Sequence, residues 1–266
     1  MINDQCAGGS LFHLSGKTAI VTGGAQGLGF GSATWLARAG ARVAILDRNG
    51  PAAIVAAASL PGEGHIALHC DVTVAEDRKR AIADVYQAFG AIDTLVNNAG
   101  ITYIAPAEEI EEDQWRTVFD TNIHAMMFMS RDVGRIMLQQ HSGSIINIGS
   151  ITSLLAMPGR GAYVTTKTAV LGLTRVLAAE WAERGIRVNA IGPGYHKTKL
   201  LQEYIDNGLV VEEKIRRRIP AGRLGSIDDI GKAALFFASP LSEYVTGQFL
   251  MVDGGYTTFG APGDAC

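Results

Sequence analysis

"KTAIVTGGAQGLGFGSATWLARAG", residues 17–40, decides the fold. It opens with a short apolar run, crosses a glycine-rich turn, and continues with apolar residues at helical spacing up to Gly40. A strand feeding a helix through such a turn is the first half of a β-α-β unit. The same alternation recurs down the chain. "ARVAILD", "HIALHCDV", "IDTLVNNAG", "GSIINIGS", "IRVNAIGPG" and "GQFLMVDGG" read as further strands, most of them apolar on both faces. That is the pattern of a parallel sheet covered by helices on each side. "AEDRKRAIADVYQAFG" and "AYVTTKTAVLGLTRVLAAEWAERG" read as helices that close on Gly90 and Gly185. The expected fold is therefore α/β: a single-domain, doubly wound parallel sheet of about seven strands, Rossmann-type, with helices on both faces.

Composition narrows the class. The chain has 266 residues, 47% of them hydrophobic, and a formal net charge of −3. That length supports one large core, and the near-neutral charge offers no field to gather nucleic acid or an anionic membrane. Cys6, Cys70 and Cys266 are odd in number and far apart, which suits a reducing compartment. "MINDQCAGGSLFHLSG" has neither a basic start nor a long apolar run, so no secretory signal is expected, and no stretch approaches a membrane span. A cytoplasmic protein with a small-molecule partner is the expectation. Residues 1–13 read as a loose arm, residues 14–266 as the single domain, and Pro193 to about Gly225 as a long insertion of the kind that forms substrate lids.

The turn "TGGAQGLG", residues 22–29, lies where open α/β sheets bind ligands, beyond the carboxyl end of a strand. Glycine lets the backbone approach a pyrophosphate, and the helix that follows presents unpaired N–H groups to it. Asp47 closes the second strand eighteen residues beyond Gly29, where a carboxylate accepts from adenosine ribose hydroxyls and repels a 2′-phosphate. The pair predicts NAD rather than NADP, with adjacent Arg48 pulling the other way. Asp71, in "CDV", closes the third strand beside the expected adenine.

"SITSLLAMPGRGAYVTTK", residues 150–167, supplies the chemistry. Hydride transfer from a carbinol needs a group to take the hydroxyl proton. A phenol is a poor base, with a reference pKa of about 10, and a nearby cation favours its ionised form. Tyr163 and Lys167 are four apart and share a helix face, so Lys167 is expected to lower the phenol's pKa. Ser150 ends an apolar strand and reaches the same crevice, where its hydroxyl meets the substrate oxygen. Ser153 is nearer to Tyr163 in sequence and is a rival for that part. Pro158 and Gly159 break the connection before the helix of Tyr163.

With "NNAG" at 97–100, Asn122 in "DTNIHAM", "NAIGPG" at 189–194 and "VTGQFLMVDGG", the chain resembles the short-chain dehydrogenase/reductase family from Leu14 to Tyr256. The resemblance implies a nicotinamide-dependent oxidoreductase, usually a homotetramer, and selects Ser150 over Ser153. It implies a catalytic set of Asn122, Ser150, Tyr163 and Lys167, in which Lys167 also binds the nicotinamide ribose and Asn122 anchors a water leading to solvent. The expected cofactor contacts are Gly23, Gln26, Gly27, Leu28, Gly29, Asp47, Asp71, Val72, Asn98, Ala99, Gly100, Tyr163, Lys167, Pro193, Gly194 and Thr198.

Substrate contacts are expected from Ser150, Thr152, Arg160, Tyr163 and His196. His196, Lys197 and Lys199 make the start of the lid cationic, and with Arg160 they suggest a sugar acid or polyol. Thr198 reads equally as a helix cap. A 3-oxoacyl-thioester reductase is the alternative within enzymes, although that role usually draws on NADPH. A catalytically idle NAD-binding sensor would show a broken Ser–Tyr–Lys set. "KIRRRIP", residues 214–220, reads as a solvated helix face, and His65 and His69 lack a third metal ligand, so no metal is expected.

Overall fold

In a computed structural model of the chain, residues 12–260 are described. Most of the N-terminal arm, and the end of the C-terminal tail, lie outside them. Seven strands form one sheet: β1 (Thr18–Thr22), β2 (Arg42–Asp47), β3 (Ile66–His69), β4 (Thr94–Asn97), β5 (Gly143–Ile148), β6 (Ile186–Pro193) and β7 (Phe249–Val252). Their order is β3-β2-β1-β4-β5-β6-β7, every pair parallel. The chain winds outward from β1 to β3, then crosses back to β4 and winds the other way. The reversal opens a crevice between β1 and β4 at their carboxyl ends, the place where such sheets bind ligands.

Side-chain alternation divides the core in two. Val21, Ile45, Val96, Ile146 and Ile191 face one layer, with α1 (Gly27–Arg38), α2 (Gly50–Ala58) and α9 (Ile227–Ala238). Their neighbours Ile20, Leu46, Leu95 and Ile145 face the other, with α3 (Ala75–Phe89), α5 (Ala125–Gln140) and α6 (Gly161–Trp181). Because both faces are covered, these strands carry apolar residues without alternation. Gly90 and Gly185 close their helical segments in the left-handed conformation, as expected of glycine at that position.

Two features add to what the sequence suggested, which for the insertion was a helix cap at Thr198 and a helix face at residues 214–220. The segment from α4 (Glu112–Phe119) into α5 passes through a π-helical turn at Asp120–His124, which carries Asn122. The insertion after β6 contains α7 (Lys199–Asp206) and α8 (Glu212–Arg217) and has its own small core. Ile151, Leu201, Ile219, Leu224 and Tyr256 are buried there, with Tyr195 and Ile205 packed against them. Its base is pinned where the Lys197 N–H donates to the Gly225 carbonyl (2.8 Å) and the Gly225 N–H to that of Tyr195 (2.9 Å).

Candidate active site

Two confluent cavities occupy the crevice. The larger, of about 560 Å³, is lined by Gly23, Gln26, Gly27, Leu28, Asp47, Asp71, Val72, Asn98, Ala99, Gly100 and Thr198, all expected cofactor contacts. It also takes in Arg48, Cys70, Thr73, Thr117, Asp120, Thr121 and Lys199. The residues fit a dinucleotide. Gln26 starts α1 without a side-chain cap, and no acidic residue stands in the first turn, so its N–H groups remain available to an anion. Asn98 staples β4 to the glycine turn by donating to the carbonyls of Thr22 (3.0 Å) and Gly23 (2.9 Å). Gly29 departs from the expectation: it lies beneath the turn and not on the cleft wall, and a Cβ there would run into the Gly23 carbonyl and the Asn98 amide. Asp47 accepts from the Ala25 N–H (3.2 Å) and the Asn49 N–H (2.9 Å), which fixes its carboxylate at the rim. Asp71 accepts from the N–H and hydroxyl of Thr73. Thr198 does cap α7, accepting from the Leu201 N–H (3.2 Å), and still lines the cleft.

The smaller cavity, of about 250 Å³, shares Leu28, Asn98, Gly100, Ile101 and Leu200 with the first. Ser150, Thr152, Arg160, Tyr163, Lys167, Pro193 and Gly194 line it. Sequence reasoning missed Thr102, Met157 and Tyr204 on its wall. A usable signal existed for Tyr204, which stands four residues after Leu200 on one face of α7.

Ser150 caps a short 3₁₀ turn, and its Oγ accepts from the Thr152 N–H (3.1 Å). Its own proton is left to bond toward the Tyr163 phenol. Ser153 is not equivalent: its hydroxyl donates to the Lys167 carbonyl (2.6 Å) and accepts from the Ser150 N–H (3.2 Å), so both its roles are spent on structure. Thr152 is buried, and its Oγ1 has no partner among the described residues.

Burial raises the Tyr163 phenol above its ordinary value, and the Ser150 hydrogen bond and the Arg160 charge act against that rise. Lys167 stands over the Tyr163 ring. Its ammonium lies 5.7 Å from the centroid of the Tyr163 ring and donates to the Ile148 carbonyl (2.8 Å). Burial lowers the Lys167 pKa to about 8.

Asn122 stands behind the cavity wall. Its Nδ2 donates to the Ile101 carbonyl (2.9 Å) and the Thr166 hydroxyl (3.1 Å), and its Oδ1 accepts from the Ile101 N–H (2.8 Å). The carboxamide thus fastens the loop after Gly100 to α6.

His196 is turned away from the substrate cavity, against the expectation. It is buried, with Nδ1 3.1 Å from the Gly194 carbonyl, and lines a separate cavity with Arg223, Asp229 and Asp253. Burial lowers its pKa, so it is no cation at neutral pH. Lys197 is exposed, and Lys199 rims the nucleotide cleft. The lid therefore brings no positive charge to the substrate cavity. Nδ1 of His65 accepts from the Val43 N–H (3.1 Å), and its other ring nitrogen meets the Pro61 carbonyl (3.0 Å). Among the described residues no group of three or more potential metal ligands converges, and no helix is long and apolar enough to cross a membrane.

A doubly wound sheet with a nucleotide cleft running into a Ser–Tyr–Lys cavity defines a nicotinamide-dependent oxidoreductase. Comparison with known proteins agrees. Residues 23–257 match a family model described as enoyl-(acyl carrier protein) reductase. The chain is 39% identical over 253 residues to gluconate 5-dehydrogenase of Gluconobacter oxydans, covering 93% of this chain and 97% of that protein. It is 39% identical over 248 residues to D-threitol dehydrogenase of Mycolicibacterium smegmatis, covering 92% and 95%. A crystal structure of a gluconate 5-dehydrogenase from Burkholderia cenocepacia, in complex with NADP and tartrate, superposes with a TM-score of 0.86 at 38% identity, covering 93% and 97%. The chain belongs to the short-chain dehydrogenase/reductase family.

Proposed function

We propose that the protein interconverts a secondary alcohol and a ketone on a small polyhydroxylated compound, a sugar acid or polyol, with NAD as the preferred partner. The observation that carries this is one cavity of about 250 Å³, small for a ligand site, in which the Ser150 hydroxyl and the Tyr163 phenol meet beside Lys167. The relatives named as gluconate and threitol dehydrogenases act on such compounds, which supports the substrate class.

A nicotinamide held in this cleft would supply the hydride acceptor in oxidation and the hydride donor in reduction. The rest falls to the chain's own groups. Ser150 donates to the substrate oxygen and holds it at the phenol. Tyr163 takes the hydroxyl proton in oxidation and gives it back in reduction. Lys167, held by the Ile148 carbonyl, offers its remaining N–H groups to the ribose. Asn122 acts at one remove, keeping Ile101 and Thr166 in register.

Asp47 supports NAD, because its carboxylate, held by the Ala25 and Asn49 N–H groups, lines the cleft, and a carboxylate at a second-strand end disfavours a 2′-phosphate. Arg48 and Lys199 line the same cleft, and neighbouring structures carry NADP, so the preference is one of degree. The family resemblance supports a cytoplasmic homotetramer of single-domain chains.

The test is a panel of polyols, aldonic acids and acyl thioesters with each cofactor, followed at the absorbance of reduced nicotinamide. Turnover of hydroxylated small molecules with NAD is expected. Turnover of acyl thioesters alone would install the reductase reading instead.

A further inference from the structure

The substrate cavity is lined by two cations of different standing. Lys167 is bonded to the Ile148 carbonyl. Arg160 is half-buried on the wall, and among the described residues no carboxylate pairs with it. One of its five N–H donors is used: Nη1 donates to the Thr102 hydroxyl (3.0 Å). The guanidinium lies over the Tyr204 ring, 5.4 Å from its centroid. Its backbone is fixed as well, since Arg160 bridges Ala105 and the Ala105 N–H donates to the Gly159 carbonyl (2.9 Å).

A guanidinium drawn partly out of water without a counter-ion is unfavourable, and proteins seldom keep one idle. Here Thr102, Tyr204 and the Ala105 bridge hold it from three sides, yet leave most of the planar fork unbonded. That fork matches a carboxylate in bidentate geometry. Thr102, Tyr204, Ser150 and Tyr163 line the same cavity as Arg160, so one occupant is within that cavity's reach of both the guanidinium and the phenol.

We propose that Arg160 is the receptor for a substrate carboxylate, making the enzyme selective for polyhydroxy acids over neutral polyols. This rests on the dehydrogenase reading above and sharpens it. The carboxylate is a handle that survives the reaction unchanged. The carbinol C–H leaves as hydride to the nicotinamide, and the O–H proton goes to Tyr163. A neutral polyol reaches Ser150 and Tyr163 equally well but leaves the fork unmatched.

The experiment compares wild type, Arg160→Gln and Arg160→Lys. Initial rates with NAD are measured on gluconate and galactonate against sorbitol and galactitol. Calorimetry then titrates gluconate into the protein saturated with NADH, a complex that cannot turn over. In Arg160→Gln the acid-to-polyol ratio of kcat/KM is expected to fall about a hundredfold, mainly through KM. Arg160→Lys should recover part of the loss, and gluconate binding should weaken in parallel. A ratio within about threefold of wild type, or equal gluconate binding by wild type and Arg160→Gln, overturns the proposal and leaves Arg160 as a brace for Thr102 and Tyr204. A wild type that prefers polyols overturns it too. Turnover of neither class would sink the dehydrogenase reading instead, while the calorimetry would still decide Arg160.

Discussion

Replacing Tyr163 by Phe removes one oxygen atom and almost no packing. The cavity and cleft remain, so NADH binding followed by fluorescence should stay near wild type while turnover falls by about 10²- to 10⁴-fold, the usual worth of a positioned acid or base. Turnover within about tenfold would count against the assignment, since that is a barrier change of only about 1.4 kcal/mol. Because burial holds the phenol above its ordinary value, oxidation should accelerate as pH rises from neutral into the alkaline range, and reduction should not. Asp47→Ser removes the charge that would repel a 2′-phosphate and leaves exposed Arg48 free to pair with one. The kcat/KM ratio of NAD to NADP should narrow, and an unaltered ratio would mean that another group reads the ribose. Tyr163, Lys167 and Ser150 line one cavity, a meeting the sequence could suggest because helix spacing and a strand end leave little freedom. The sequence misjudged His196, because proximity along the chain does not reveal which way a side chain turns at a pinned bridge.

At the scale of elements, the lid shows where local pattern runs out. Its helices have eight and six residues; Thr198 as a cap and the charge run at 214–220 hinted at them, but their burial depends on residues as distant as Ile151 and Tyr256, which local pattern does not show. The π-helical turn at Asn122 left no mark either, since one extra residue in a helix barely disturbs the pattern. The lid's base gives a direct test. A Cβ at Gly225 would run into the His196 imidazole. Gly225→Ala should therefore lower stability by about 1 to 3 kcal/mol, as overpacking does, read as a drop in Tm. It should also raise KM for the alcohol more than for NAD, because Leu200 and Tyr204 reach the substrate cavity from this lid.

For the whole molecule, the seven strands were legible because a sheet covered on both faces writes itself as continuous apolar runs, of which "AIV" in β1 and "AIL" in β2 are examples. Stability as a function of pH should carry the signature of the buried Lys167. Its pKa is about 8 when folded and 10.5 in the unfolded reference, so the unfolded chain binds more protons between those values. Unfolding free energy should then rise with pH across that window by about 3 kcal/mol relative to Lys167→Met, measured by denaturant titration of the cofactor-free protein. A parallel pair of curves would show the ammonium to be better solvated than its surroundings suggest. One junction binds the scales together: Ile151, in the lid's small core, is the immediate neighbour of Ser150. Whatever pries that cover upward also strips Ile151 of its packing and slackens the turn that aims the serine. A guest too bulky to sit beneath it would find the reactive apparatus out of alignment, so bulk alone becomes a criterion of selection.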